Sequence, residues 1–245
     1  MQGWRARIGV IYPADGIIDE EFWKLAPPGV SVLLTRIAVP EEPLSINVVT
    51  NVGETEEIEK ASKALRITKP NAIAYACTSG SFVKGIGWDR EISTRIEKVS
   101  GAKATTTSTA AIEALRALGV KKVAVAAPYP DDVNGTLTKF LQQNGFEVVR
   151  MRGLGLKYAW DIGNTPPSGV YQHAISADSP EADGVLIPCT AFPTLEIIES
   201  LEEDLRKPVV SANQATMWKA AALAGVSQKM EGLGSLMRTP APHEG

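Results

Sequence analysis

Only two cysteines occur in the chain, and both stand where an apolar run breaks into a hydroxyl residue. One run is "NAIAYACTSG" over residues 71–80, the other "DGVLIPCTAFPT" over 183–194. In each, a buried-strand pattern gives way to Cys-Thr and then to a turn into helix. A lone cysteine on an apolar strand is ordinarily small core filler. Cys77 and Cys189, however, sit at the carboxyl ends of strands, where open parallel sheets carry their binding crevices. The backbone N–H groups that open the next helix favour an anion there, and such a position is expected to lower a thiol's pKa toward the reactive thiolate. Two opposed thiols around one carbon can remove a proton from one face and deliver one to the other. Alternatively, one thiolate adds to an activated double bond and later leaves. Either step builds negative charge beside a carboxylate, so donors fixed where that charge develops carry most of the work. Thr78, Ser79 and Thr190 stand directly beside the cysteines with hydroxyl and N–H groups suited to a carboxylate.

Other chemistries find less support. There are two histidines; His243 lies in the tail, and His173 sits in a helical stretch without an apparent partner, which is thin material for a triad. No ligand pair has metal spacing, and two widely separated cysteines make no zinc ribbon. "GLGLKY" and "KGIGW" lack the third glycine of a dinucleotide fingerprint, and no GKS or GKT opens a phosphate loop. The run "TTTST" reads as a strand end plus a helix cap, Ser108 or Thr109 being the cap candidates. Tyr129, in "VAVAAPYPDD", ends another strand. It is either a rim residue capping that strand or a phenol donating to a substrate carboxylate.

The elements that must position these residues alternate along almost the whole chain. "RIGVIYP", "VSVLLTRIAV" and "AIAYAC" read as strands, with amphipathic helices in "DEEFWKLAP" and "ETEEIEKASKALRIT" between them. The helices "DREISTRIEKVSG" and "STAAIEALRALG" follow. The pattern then restarts with the strands "KKVAVAAPYP", "FEVVRMRGL", "GVLIPC" and "PVVSAN". Their helices are "DDVNGTLTKFLQQNG", "TPPSGVYQHAISAD", a long "FPTLEIIESLEEDLRK" and "QATMWKAAALAGV". Such alternation means parallel sheets flanked by helices. The expected fold is α/β, two pseudo-symmetric lobes with the site in the cleft between them. The first lobe covers 1–118 and the second 119–213. Residues 214–235 are expected to pack back on the first lobe, and 236–245 to fray.

Bulk composition agrees with a globular α/β protein: hydrophobic residues are 44% and charged residues 22% of the 245. The net charge of −3 offers no basic field for nucleic acid. No apolar run approaches the roughly 18 residues of a membrane span, and the opening "MQGWRARIGVIYP" lacks the apolar centre of a secretory signal. A cytoplasmic protein with reduced thiols is expected.

"YACTSGSF", "VAAPYPDDVN" and "IPCTAFPT" together resemble the aspartate/glutamate racemase superfamily, in its branch of maleate cis–trans isomerases and arylmalonate decarboxylases. The resemblance implies two lobes with the site between them, Cys77 and Cys189 as the catalytic pair, no cofactor, and a dimer or larger assembly. It implies carboxylate donors at Thr78, Ser79 and Tyr129, substrate contacts at Thr190 and Ala191, and Pro13 in a first-strand loop closing over the substrate. The decarboxylases of this branch keep only the second cysteine, so Cys77 favours isomerase or racemase chemistry. Asp15 and Gly16 stand where maleate isomerases carry an asparagine, and Ala191 and Phe192 where they carry a polar residue. Those departures argue against maleate and for an apolar substituent packed on Phe192. The leading expectation is a cofactor-independent isomerase or racemase of a small carboxylic acid. The alternatives are a decarboxylase with Cys189 as proton donor and, in another class, a small-acid binding protein.

Overall fold

The computed structural model describes residues 3–241. Two four-stranded parallel sheets form the frame, and they share one strand order. In the first, β1 (Ala6–Pro13) lies between β2 (Val30–Ile37) and β3 (Ala72–Tyr75), with β4 (Lys103–Thr106) outermost. In the second, β5 (Lys122–Ala127) lies between β6 (Glu147–Gly153) and β7 (Gly184–Ile187), with β8 (Val209–Ser211) outermost. Apart from Arg7 in β1 and Lys122 in β5, the central strands are apolar, because helices cover both faces of a parallel sheet. β3 and β7 are wholly buried, four residues each. They occupy equivalent places, and the two cysteine motifs leave from their ends.

The helices of the first lobe are α1 (Glu20–Lys24), α2 (Ile46–Glu54), α3 (Glu57–Arg66), α4 (Thr78–Phe82), α5 (Trp88–Ser100) and α6 (Thr107–Ala117). Those that follow are α7 (Asp131–Gln143), α8 (Ala159–Gly163), α9 (Pro167–Ala177), α10 (Ile198–Leu205), α11 (Ala212–Leu223) and α12 (Gly234–Arg238). α11 follows β8 through a capping box made by Ser211 and Gln214, and packs on α6, β3 and β4 of the first lobe.

Four local readings change. Thr106, two or three residues earlier than expected, caps α6 by accepting from the Thr109 N–H. Residues 192–197, read as the start of a long helix, are not helical and form a turn only over 195–197, because a buried carboxylate of the first lobe takes the Thr194 and Leu195 N–H groups. α2 has no counterpart in the sequence reading: its β-branched residues favour a strand, and burial of Val48, Val49 and Val52 decides otherwise. Within the segment expected to fray, Leu236 and Met237 are buried in the main core, since α12 packs on α10, α11 and β8. Residues 242–245, including His243, lie outside the described part. No helix among the described residues is long and apolar enough to cross a membrane.

Candidate active site between the lobes

β3 delivers Cys77 as the extended N-cap residue of α4, so Thr78 and Ser79 occupy its first turn. The Gly80 N–H, the Tyr75 hydroxyl and the Ser79 side chain all face the Cys77 thiol. Glycine is required at position 80: a Cβ would come within 2.7 Å of the Tyr75 hydroxyl and 3.1 Å of Cys77 Sγ. β7 delivers Cys189 differently. Its φ is +88°, a left-handed conformation that a non-glycine residue adopts at a cost, and the turn is closed by the Phe192 N–H on the Cys189 carbonyl at 3.2 Å.

Both cysteines line one cavity of about 370 Å³, within the range of small-ligand sites. Pro13, Thr78, Ser79, Tyr129, Thr190 and Ala191 line it too, so every expected site residue reaches the same space. Pro13 does so as the last residue of β1 rather than from a closing loop. The cover is a strap over 39–44, tied across the cleft where the Leu44 N–H meets the Lys157 carbonyl at 2.6 Å.

The threonines behind the cysteines reach across the lobes. The Cys189 N–H donates to Thr78 Oγ1 at 3.3 Å, and Thr190 Oγ1 donates to the Ala76 carbonyl at 3.0 Å. The Thr190 hydroxyl proton is therefore committed to the protein, whereas Thr78, which also lines the cavity, uses its oxygen as an acceptor. Tyr129 is buried at 1% exposure, yet its hydroxyl has no hydrogen-bond partner. It lies beside Cys189 and Thr78. An unpaired buried phenol is costly unless something supplies an acceptor, and a ligand carboxylate would do so.

Tyr12 is a cavity residue that the sequence reading passed over. Its hydroxyl donates to the Thr190 carbonyl at 2.9 Å, and the Arg36 guanidinium lies 4.8 Å from its ring centre. A Cβ at Gly16 would fall 2.2 Å from that ring. A signal existed: the Tyr-Pro dipeptide that ends β1, Tyr12-Pro13, recurs just beyond the first strand of the second lobe as Tyr129-Pro130. The TTTST run serves the structure. Thr107 bonds Thr216 at 2.9 Å, and Ser108 donates to the Thr78 carbonyl at 3.1 Å, bracing the Cys77 turn from behind. His173 also has a partner, the Ala127 carbonyl 3.0 Å from its Nε2, away from the cavity lining.

The expected lowering of the thiol pKa values is reversed. Burial pushes Cys77 up to about 11, against the opposing pull of the Gly80 N–H; the Tyr75 hydroxyl beside it donates to the Val52 carbonyl at 2.9 Å. Burial likewise pushes Cys189 up to about 12, against the opposing pull of the Ala191 N–H. Desolvation outweighs the local donors, so both groups rest as neutral thiols at pH 7. Each thiol also feels Asp15, whose charge raises both further. Asp15 stands at the cavity mouth, and its own pKa is raised by desolvation against the cavity walls.

The remaining walls are largely apolar: Val39, Leu44, Val48, Val49 and Val52 on one side, Trp160 and Ile162 on the other. Phe192, expected to contact a substrate group, is instead fully buried in the core of the second lobe, because the turn after Cys189 swings it inward.

The arrangement can hold a carboxylate between Tyr129 and the Thr78–Ser79 turn, an apolar group against the strap and α2, and one carbon between two thiols. This is a family architecture. The arylmalonate decarboxylase family model matches residues 10–237, and the chain belongs to that family. Arylmalonate decarboxylase of Bordetella bronchiseptica is 32% identical over 225 residues, 90% of each chain. Maleate isomerase of Geobacillus stearothermophilus is 24% identical over 188 residues, 74% of this chain and 75% of the other. A solved arylmalonate decarboxylase variant in its liganded form, with a cysteine replacing a glycine and a serine replacing a cysteine, superposes with a TM-score of 0.86. It is 28% identical and covers 94% of this chain and 98% of that one.

Proposed function

We propose that the protein is a cofactor-independent racemase of small carboxylic acids that carry an apolar group on the carbon next to the carboxylate. The observation that carries this reading is the pair of thiols leaving equivalent strand ends, β3 and β7, into one cavity with apolar walls. The substrate carboxylate takes donors from Tyr129 and Thr78, which lie side by side. The apolar substituent lies against Val48, Val49 and Val52. One thiolate removes the proton on the α-carbon, and the electron pair moves into the carboxylate to give an enediolate. The opposite thiol then delivers its proton to the other face, so one sulfur ends protonated and the other ends as thiolate. A thiol with a raised pKa gives a scarce but strong base, which suits so weak a carbon acid. The fixed donors stabilise the charge that accumulates on the carboxylate oxygens.

The Bordetella relative's name and the resting protonation of Cys189 favour a second reading, decarboxylation of the corresponding malonate. There the bond to one carboxylate breaks, its electron pair forms the same enediolate, carbon dioxide leaves, and Cys189 protonates the carbon. No thiolate is needed at the start. Proton NMR in D₂O on single-enantiomer 2-phenylpropionate and on phenylmalonate separates the two. Deuterium at the α-carbon with loss of optical rotation is the result expected of the racemase. Release of carbon dioxide from phenylmalonate without exchange of 2-phenylpropionate would move the reading to the decarboxylase. Binding without either reaction would leave a small-acid binding protein.

A further inference from the structure

Behind the Cys189 turn lies a buried carboxylate that the chemistry above does not use. Glu21, on α1 of the first lobe, is 8% exposed. It accepts from the Thr194 N–H at 2.7 Å, the Leu195 N–H at 2.8 Å and Asn213 Nδ2 at 2.7 Å, with Thr194 Oγ1 at 3.4 Å. Burial raises the pKa of Glu21, but every partner is a donor, which favours the ionised carboxylate. Asn213, 1% exposed, opens α11 and shares its amide nitrogen: the same Nδ2 donates to the Thr190 carbonyl at 3.1 Å. That carbonyl also takes the Tyr12 hydroxyl.

The direction of these bonds matters. The peptide between Thr190 and Ala191 is trans, so its C=O and N–H point opposite ways. Two donors pin the carbonyl from behind, and the N–H on the other side meets the Cys189 thiol. Cys189 needs such restraint, because its own backbone is left-handed. The other thiol has no equivalent support from Glu21; it takes its N–H from Gly80, inside its own lobe.

We propose that Glu21 and Asn213 are positioning residues for Cys189, acting through the Thr190–Ala191 peptide to hold an N–H on its sulfur and to keep its proton aimed into the cavity. The carboxylate fixes the Asn213 amide with its nitrogen toward Thr190, because only a donor satisfies both acceptors. Replacement by glutamine would offer Asn213 a donor instead. The amide would then turn its oxygen toward position 21 and leave the Thr190 carbonyl to Tyr12 alone. The kinetic consequence rests on Cys189 as a proton-transferring thiol, but its ionisation is measured with no substrate present.

The test alkylates the full-length enzyme with iodoacetamide between pH 8 and 10 and quantifies the Cys77 and Cys189 peptides separately by mass spectrometry. In Glu21→Gln, weaker stabilisation of the thiolate should slow labelling of Cys189 about three- to tenfold at fixed pH, with Cys77 unchanged. Turnover, whichever reaction the enzyme catalyses, should lose kcat in Glu21→Gln with little change in KM. Tyr12→Phe removes only the second donor to the same carbonyl and should slow Cys189 in the same direction, which keeps the idea testable if Glu21→Gln does not fold. A Cys189 rate unchanged in Tyr12→Phe, or both thiols shifting equally in Glu21→Gln, overturns it. Either result would reduce the network to a cement between lobes.

Discussion

Thr78 of the first lobe accepts the backbone N–H of Cys189 from the second at 3.3 Å. The tie is reciprocated when Thr190 donates to Ala76 at 3.0 Å. Each cysteine turn is thus held partly by the threonine that follows the other cysteine. The cleft is stitched at its floor, directly behind the two cysteines. Thr190→Val keeps the shape, removes the donor and leaves the buried Ala76 carbonyl unpaired. A loss of about 1–3 kcal/mol is expected from a buried polar group without its partner, read from urea unfolding monitored by circular dichroism. An unchanged midpoint would mean that the stitch carries no stability.

The two thiols should differ in what their loss does. Cys189→Ala is expected to lower both racemisation and decarboxylation by about 10²–10⁴-fold, the usual value of a positioned acid–base group. Cys77→Ala should abolish racemisation and leave any decarboxylation of phenylmalonate intact. Polarimetry and carbon dioxide release on the same two variants decide the matter, and full racemase activity in Cys77→Ala would refute the two-thiol mechanism.

The pH dependence follows from the thiols at about 11 and about 12. Racemisation needs one of them ionised in the free enzyme. Below both values its kcat/KM should therefore climb about tenfold per pH unit from pH 7 upward. Decarboxylation needs Cys189 protonated, and its profile should stay flat over the same range. The two activities, measured between pH 6 and 10, should diverge in slope.

The same shifts act on stability. Both thiols sit above their ordinary value of 9.0 in the folded protein, so their folded pKa is raised. Their contribution is fully present below pH 9 and is lost as pH rises through 11 and 12, because the unfolded chain gives up those protons first. The double alanine variant should show a flatter stability curve between pH 9 and 11 than the parent protein, in urea titrations at each pH. Equal curves would mean that the thiols are not desolvated in solution.

Asp15 sits at the mouth and raises both thiols. Asp15→Asn should speed alkylation of both cysteines at pH 8 and lower KM for a dicarboxylate more than for a monocarboxylate. Salt should shrink the difference between parent and variant, since an interaction at the mouth is screened. A dicarboxylate KM unchanged in Asp15→Asn would remove the charge from any role in selection.

What could be read from the sequence was what neighbouring residues encode. The alternation of elements, the strand-end placement of Cys77 and Cys189, and the hydroxyls beside them all lie within short stretches. Tyr129 was visible because it closes an apolar strand. Residues that act over distance were not visible. Glu21 meets Thr194 and Asn213 only after the lobes close, and in the sequence it is one of several acids on a short helix. The sign of the thiol shifts was misjudged for a related reason: the donors are local and legible, whereas the burial that outweighs them belongs to the whole fold. Phe192 shows the same limit, since its direction depends on the left-handed backbone at Cys189.

Most of the apolar wall opposite the thiols comes from one contiguous stretch, Val39 to Val52, on the strap and α2. The two thiols come from the ends of β3 and β7, so under the proposed function shape selection and proton chemistry belong to different parts of the chain. On the proposed function, some fourteen residues can change, and with them the range of acids accepted, while the sulfurs stay where the sheets put them. The scaffold is in that sense a fixed reactor with an exchangeable mould.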